Sequence, residues 1–235
     1  MAGRREEKEA RRAARLAQED EERRARARQR RLQLVLAGIL AIGIVAGVAV
    51  VALGGGGDGG DGDGARPPAE SDEVELPAQR TSEVEEAVAT AGCELTHPPI
   101  EGDDHEQRAF TAADYATNPP TSGDHFPPPA AQDGVYGAGS TPELGTLVHS
   151  LEHGRINVQY APGTDAALLR RLEAFVAENG GYHMLLYENA TGMEARVAAT
   201  AWGHSLTCES TGPPMWDALR TFRDRYVDQA PERVP

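Results

Sequence analysis

TPELGTLVHSLEHGRINVQY, residues 141–160, contains two hydrophobic periods in succession, and this succession decides the fold class. Thr141-Pro142 is a typical helix start and Gly154 is a typical helix stop, so the first part predicts a helix. Apolar and polar residues then alternate over 156–160, which predicts a half-buried strand. A helix followed directly by a strand favours a mixed α and β fold.

The sequence on both sides of this stretch predicts further helices and strands. Predicted helices run from a Ser82–Glu85 capping box to Gly92, from Thr164 to Asn179-Gly180, and onward from Pro213-Pro214; predicted strands cover 183–187 and 196–207. Residues 93–141 are rich in proline and predict one long loop, which is typical of a functional or surface-wrapping segment. Together these elements predict a small single α+β (or α/β) domain over residues 81–230, with a few strands and flanking helices.

The segment Leu32–Leu53 carries no charged side chain and predicts one N-terminal transmembrane helix. As a helix it spans about 33 Å, which is enough to cross a bilayer core of about 30 Å. A cleaved signal peptide is the alternative, but its basic and apolar regions are usually shorter. Arginines crowd the N-terminal edge, so we expect a signal anchor with a cytoplasmic N-terminus and an extracytoplasmic C-terminal part.

Charge divides the chain at the same segment. The whole chain has a net charge of −14, yet residues 1–31 are rich in arginine and predict a basic cytoplasmic arm. Residues 54–80 are rich in Gly, Asp and Pro and predict a flexible acidic linker to the folded domain. The strong acidity argues against nucleic-acid binding, because phosphate contacts need clustered Lys and Arg.

The expected partners follow from this layout. The lipid bilayer surrounds the transmembrane segment, and anionic lipid head groups pair with the arginines of the basic arm. Gly43 and Gly47 form a GxxxG pattern, which favours a weak homodimer, although glycine is common in membrane helices anyway. The proline-rich loop and the acidic surface of the domain suit a protein partner in the cell envelope.

The two cysteines are Cys93, near the start of the predicted domain, and Cys208, near its end. In an extracytoplasmic domain a disulfide between them is the default, because exposed thiols are oxidised there. Two separate free thiols are the alternative.

All seven histidines lie within residues 97–204, inside the predicted domain. His149 and His153 are one helical turn apart, so they face the same way and can share a metal ion. His125 and His105 lie in the long loop and are the best candidates for the remaining ligands. Imidazole suits a transition metal such as copper or zinc. The alternative is that these histidines only hydrogen-bond within a packed interior.

The sequence leaves enzymatic activity open. Residues 149–153 match HxxEH, in which two histidines bind zinc and the glutamate, here Glu152, is the general base of a hydrolase. The domain is small and no downstream third ligand stands out, so such a short match has a real false-positive rate. Met184 or Met193 as a further ligand would favour copper, since a thioether is a soft ligand.

Several motifs follow one another in an order that resembles a known bacterial family. They are NPPTSGDH at 118–125, GVY at 134–136, LVHSLEHG at 147–154 before a strand that ends at Tyr160, and ATAWG at 199–203 with Cys208 behind it. The order resembles the family of domain of unknown function 3105 over about residues 92–228. The resemblance implies bacterial, often actinobacterial, relatives with a membrane anchor, and a cysteine at each end of the domain. It also implies that His105, His125, His149 and His153 form one site, but it implies no activity.

Three functions fit these observations. The first is a membrane-anchored extracytoplasmic protein that binds a transition metal through its histidine cluster. The second is a structural or interaction module of the cell envelope. The third is a zinc-dependent hydrolase that uses the HxxEH motif.

Overall fold

The computed structural model describes residues 64–68 and 74–232. The predicted basic arm, the predicted transmembrane segment 32–53 and most of the predicted linker lie outside the described residues. Within 64–68 and 74–232, none of the helices is long and apolar enough to cross a bilayer.

A six-stranded sheet runs through the centre of the described residues. Its strands are β1 (Glu94–Thr96), β2 (Gly134–Val135), β3 (Ile156–Tyr160), β4 (Met184–Glu188), β5 (Val197–Ala201) and β6 (His204–Cys208). The order across the sheet is β1-β6-β5-β3-β4-β2. β4 is parallel to both of its neighbours, and the other pairs are antiparallel.

Four α-helices accompany the sheet in the described part of the chain, and together they confirm the predicted mixed α+β class. They are α1 (Val84–Ala91), α2 (Leu144–Glu152), α3 (Ala166–Ala177) and α4 (Pro214–Tyr226). The helices α1, α3 and α4 cover one face of the sheet and enclose the larger apolar core, which includes Phe175 and Trp216. Helix α2 covers the opposite face, where Leu147 packs with Leu185 of β4.

β3 is buried on both faces, so the prediction of a half-buried strand was wrong. Ile156 and Val158 face the larger core, as the alternation predicts. The polar residues on the other side face α2 instead of water. Asn157 Nδ2 donates to the carbonyl of Leu147 at 2.9 Å, and its Oδ1 accepts from the Ser150 hydroxyl at 3.0 Å. Buried polar side chains need such partners, because an unpaired buried polar group is costly.

The residues predicted as one strand over 196–207 form two strands, β5 and β6, which pair as a hairpin. Trp202 and Gly203 make the turn, and Gly203 has a φ of 73°, which favours glycine. The prediction was wrong because tryptophan is typical of strands and hides the turn in the sequence.

The helix starts also differ from the predictions. Asp165 caps α3 in place of Thr164, because its carboxylate accepts from the backbone N–H groups of residues 167 and 168 at 3.0 Å each. These two bonds hold the pKa of Asp165 below its usual range. Before α1, the N-cap residue is Glu83, whose side chain makes no cap hydrogen bond, so the predicted Ser82–Glu85 capping box was wrong.

The predicted loop 93–141 is irregular over most of its length but contributes two short strands to the sheet. β1 pairs with β6, and β2 pairs with β4. Between these strands the loop passes over α2, where Phe110 and Tyr115 pack with Val148 and Leu151. The loop therefore covers α2 and forms one wall of the region that holds the histidines.

A disulfide joins Cys93 to Cys208, as predicted. Cys93 directly precedes β1 and Cys208 is the last residue of β6, so the bond fastens an edge strand to its neighbour. The two residues are 115 positions apart in sequence, and Cys208 is fully buried. The disulfide thus links two strands that are far apart in sequence, one after α1 and the other before α4.

An ion-pair cluster joins the end of α3 to α4. Glu178 accepts from Arg220 Nη2 at 2.6 Å and from Arg223 Nη1 at 2.8 Å. Partial burial alone would raise the pKa of Glu178, but the two arginines outweigh it and hold that pKa below its ordinary value. The carboxylate is therefore ionised in the folded domain over most of the pH range.

Candidate metal centre

Two histidines of the long loop lie side by side because their backbones form a bridge. The N–H of Glu106 donates to the carbonyl of His125 at 2.8 Å, and the N–H of His125 donates to the carbonyl of Asp104 at 3.0 Å. The bridge places the rings of His105 and His125 with their centroids 4.7 Å apart. The bridge thus brings together two histidines that are twenty positions apart in sequence.

Helix α2 supplies the other half of the site from its last turn. His149 and Glu152 are three residues apart, so their side chains leave the same side of the helix. The loop is held against this helix by Gly145, whose carbonyl accepts from the N–H of Phe126 at 3.4 Å. A Cβ at position 145 would lie 2.6 Å from the ring of Phe110 and 2.9 Å from that of Phe126. Only glycine allows this close approach.

Four side chains meet between the loop and α2, and we call them the His/Glu cluster: His105, His125, His149 and Glu152. One ligand atom from each lies within 4.8 Å of the corresponding atom of every other member. Glu152 Oε2 is 3.0 Å from His125 Nε2 and 3.6 Å from His105 Nε2. His125, His149 and Glu152 are buried, and the side chain of His105 is 34% exposed. The cluster therefore reaches solvent on the side of His105.

Backbone carbonyls fix the orientation of the two buried rings. His125 Nδ1 lies 2.8 Å from the carbonyl oxygen of Gly123, and His149 Nδ1 lies 2.6 Å from that of Phe126. A carbonyl only accepts, so each Nδ1 must be the donor, and each neutral ring therefore has its lone pair at Nε2. His125 Nε2 lies 3.0 Å from Glu152 Oε2, and His149 Nε2 lies 3.0 Å from His153 Nε2. Metal-bound histidines in proteins are oriented in the same way by their second nitrogen.

Burial shifts the pKa values of two members of the cluster, His149 and Glu152. It lowers the pKa of His149 to about 4, so this ring is neutral at physiological pH. Burial also raises the pKa of Glu152, because a carboxylate is poorly solvated there. His125 Nε2 and Glu152 Oε2 are 3.0 Å apart, and both atoms are acceptors when neither carries a proton. Either a proton or a cation must lie between them.

The fourth predicted ligand, His153, lies beside the cluster and not within it. Its Nε2 is 3.0 Å from His149 Nε2 and 3.2 Å from Glu232 Oε2. Glu152, predicted only as a general base, is a member of the cluster. Met184 packs in the larger apolar core instead.

Two residues near the cluster were not predicted from the sequence. Glu232 lies beyond residue 230, where the predicted domain ended, and no sequence signal marks it. The indole ring of Trp202 is nearly perpendicular to the ring of His125, with a centroid distance of 6.0 Å. The AWG motif does include Trp202 and could have indicated it.

The remaining histidines lie away from the His/Glu cluster. His97 Nδ1 is 2.7 Å from His204 Nδ1, and His183 Nδ1 is 2.7 Å from Asp228 Oδ1. His97, His183 and His204 are therefore histidines of the same domain that do not belong to the cluster.

The described residues thus define a small disulfide-linked α+β domain that carries a group of three histidines and one glutamate, of which all but His105 are buried. The chain belongs to the family described as Protein of unknown function (DUF3105), whose family model matches residues 106–234. The match begins just after His105 and continues beyond residue 228, so its limits lie further along the chain than the resemblance implied. No curated protein and no solved structure matches the chain.

Proposed function

We propose that this chain is a membrane-anchored extracytoplasmic protein whose folded domain binds a divalent transition metal ion through the His/Glu cluster. One observation supports this more than any other. Two buried rings, His125 and His149, donate from Nδ1 to backbone carbonyls, which leaves Nε2 of each ring as the candidate ligand atom in a group that includes the buried carboxylate of Glu152. A metal ion satisfies all of these groups at once, because imidazole and carboxylate are its ordinary ligands.

The donor set favours zinc over copper. It consists of three imidazole nitrogens and one carboxylate oxygen, and four such ligands are the usual number for a structural zinc ion. Sulfur donors, which favour Cu(I), are not supplied by the cysteines, because both are in the disulfide. We therefore propose zinc as the ion, with Cu(II) as the competitor that a binding experiment should include.

The proposed ion would tie the long loop to α2. His105 and His125 come from the loop, while His149 and Glu152 come from the helix, so the ion would cross-link two segments that are distant in sequence. The hydrolase hypothesis needs Glu152 to be free as a base. Its contacts with His125 and His105 favour a ligand role instead, and this supports metal binding for structure over hydrolysis.

The proposed location rests on the sequence and on the disulfide. Disulfides persist in oxidising compartments, so the Cys93–Cys208 bond supports an extracytoplasmic domain behind the apolar segment 32–53. The arginines of residues 1–31 would then contact anionic lipid on the cytoplasmic side. Protease added to spheroplasts should remove a C-terminal tag and spare an N-terminal one. The opposite pattern would contradict this orientation.

The metal proposal is tested on the full-length chain, purified in detergent and loaded with Zn²⁺ before excess ion is removed. We expect at least one zinc per chain by mass spectrometry, and a strong loss of zinc in His105→Ala/His149→Ala. The matched control is His97→Ala/His204→Ala, which removes the same number of histidines from outside the cluster. This control should keep the zinc of the wild type.

A second readout separates binding from mere folding. Zinc at a thousand times its dissociation constant stabilises the folded state by about 4 kcal/mol, which raises the melting temperature by about 8–16 °C. Chelation should remove this increment from the wild type and from the His97/His204 control, but not from the cluster variant. Equal, near-zero zinc in all three proteins would end the metal proposal and leave the structural or interaction module.

A further inference from the structure

The C-terminal segment of the described chain returns to the end of α2 and brings a carboxylate with it. After α4, the N–H of Asp228 donates to the carbonyl of Gly154 at 2.9 Å, and the N–H of Glu232 donates to the carbonyl of Glu152 at 3.2 Å. These two bonds fix the segment 228–232 against the turn that follows α2. The backbone therefore positions the side chain of Glu232.

This side chain completes a second group of ligands. One ligand atom each from Glu152, His153 and Glu232 lies within 4.8 Å of the other two. Glu232 Oε2 is 3.2 Å from His153 Nε2, so the contact is close enough for an ion pair or for two ligands of one metal. The side chain of His153 is 11% exposed, whereas that of Glu232 is 48% exposed.

The second group directly adjoins the His/Glu cluster. Glu152 belongs to both, and a carboxylate has two oxygens that can bind two different ions. His153 Nε2 is only 3.0 Å from His149 Nε2, so the two sets of ligand atoms are neighbours. Two-metal sites in proteins hold their ions about 3.5–4 Å apart, which is the spacing that such a shared carboxylate supports.

We propose that a second divalent transition metal ion binds at Glu152, His153 and Glu232, next to the first and bridged to it by Glu152. This proposal rests on the proposed function, since it shares Glu152 with the first site. The second ion has three protein ligands, one of them half-exposed, so it keeps a coordination position for water. The first ion, with four protein ligands, does not.

The test is the zinc content of the full-length chain, measured as for the first site. We expect two zinc ions per chain in the wild type and one in Glu232→Gln. This substitution preserves the size of the side chain and removes its charge. His153→Ala should also retain one ion. Glu209→Gln, which changes an exposed glutamate of the folded domain, is the matched control and should retain two.

Each zinc stoichiometry distinguishes a different arrangement of ions. One ion in the wild type that remains in Glu232→Gln removes the second site and leaves the proposed function intact. One ion that is lost in Glu232→Gln places Glu232 in a single centre, and this outcome also overturns the two-ion arrangement. No ion in any variant removes both proposals. Circular dichroism of each variant checks that the loss of an ion is not a loss of folding.

Adjacency is tested independently by loading the chain with Cu²⁺. Two Cu²⁺ ions about 4 Å apart couple magnetically, so the electron paramagnetic resonance signal per copper should fall well below that of an isolated ion. In Glu232→Gln the remaining copper should give the full signal of an isolated ion. A full isolated signal from both coppers of the wild type would refute a bridged pair.

Discussion

Reduction of the Cys93–Cys208 disulfide should remove a large part of the stability of the folded domain. Reduction alters the cross-link and preserves both sulfur atoms, so the packing around the buried Cys208 is nearly unchanged. The chain-entropy treatment uses the closed loop, which is 115 residues here. It gives a loss of about 16 cal/mol/K, or about 4.8 kcal/mol at 25 °C. Natural domains are stable by only about 5–15 kcal/mol, so this loss is severe.

The assay is thermal and urea unfolding of the full-length chain with and without a thiol reductant, followed by circular dichroism. For a domain of this size, about 4.8 kcal/mol corresponds to a fall of about 10–20 °C in the melting temperature. The double variant Cys93→Ala/Cys208→Ala is the control, because the reductant should leave its melting temperature unchanged.

A fall of less than about 3 °C on reduction of the wild type would refute the reasoning. It would mean that opening the disulfide does not increase the conformational entropy of the unfolded chain, which is the premise of the calculation. A reductant effect of equal size in the double variant would instead trace the change to something other than this bond.

Three further substitutions test the packing of Gly145, the ion pairs of Glu178 and the helix cap at Asp165. Gly145→Ala should destabilise the domain by roughly 1–2 kcal/mol, because overpacking against two phenylalanine rings outweighs the helix preference of alanine; Gly137→Ala, which has its nearest contact at 3.4 Å, should be neutral in urea unfolding. Glu178→Gln should cost about 1.5–3 kcal/mol at pH 7 through its two buried arginines. The folded-state pKa of Glu178 is lowered, so its contribution to the free energy of unfolding is complete above about pH 4.3 and is lost as the pH falls below that value. The difference in stability between the wild type and Glu178→Gln should therefore shrink in acid. A difference that stays constant with pH would contradict the ion-pair account. Asp165→Ala should lower the melting temperature more than Thr164→Ala, and the reverse order would restore the cap that the sequence predicts.

Sequence periodicity predicted the elements that form from local signals. The alternation over 156–160 marks β3, and the helix start at Pro213-Pro214 marks α4, whose Trp216 is fully buried. Gly92 ends α1 in the left-handed conformation with a φ of 64°, the role that glycine has at helix ends. These features depend on residues within one or two turns of each other, and the sequence contains that information.

Features that depend on distant pairing could not be predicted in the same way. β1 and β2 are too short to show a period, and they form only because β6 and β4 offer them free edges. The burial of Asn157 also depends on a helix that lies across the other face of the sheet. In both cases the deciding partner is distant in sequence or on another element, so a local pattern could not indicate it.

The candidate site also combines features that a local sequence pattern indicates with features that depend on the tertiary structure. The spacing of His149 and His153 predicted that the two rings face the same way and share a metal ion. Their Nε2 atoms do lie 3.0 Å apart, and the shared ion stays a prediction. His153 is the residue directly after α2, where the helix ends, and its ring turns toward Glu232. Glu152 belongs to the His/Glu cluster because it lies within the last turn of α2, three residues from His149. The end of the helix therefore decides which side chain joins the cluster.

The charge balance of the cluster links its geometry to its function. His149 is neutral and both buried rings donate from Nδ1 to backbone carbonyls, so an ionised Glu152 would be a buried negative charge that needs a proton or a metal ion beside it. A proton on Glu152 removes that charge and gives a closed hydrogen-bonded core, which is the structural module. A metal ion removes it while keeping the carboxylate ionised, and it uses every Nε2 lone pair that the backbone carbonyls have oriented. Metal binding also gives a reason for the backbone bridge between His105 and His125. A hydrogen-bonded core without metal needs only one of those two rings beside Glu152.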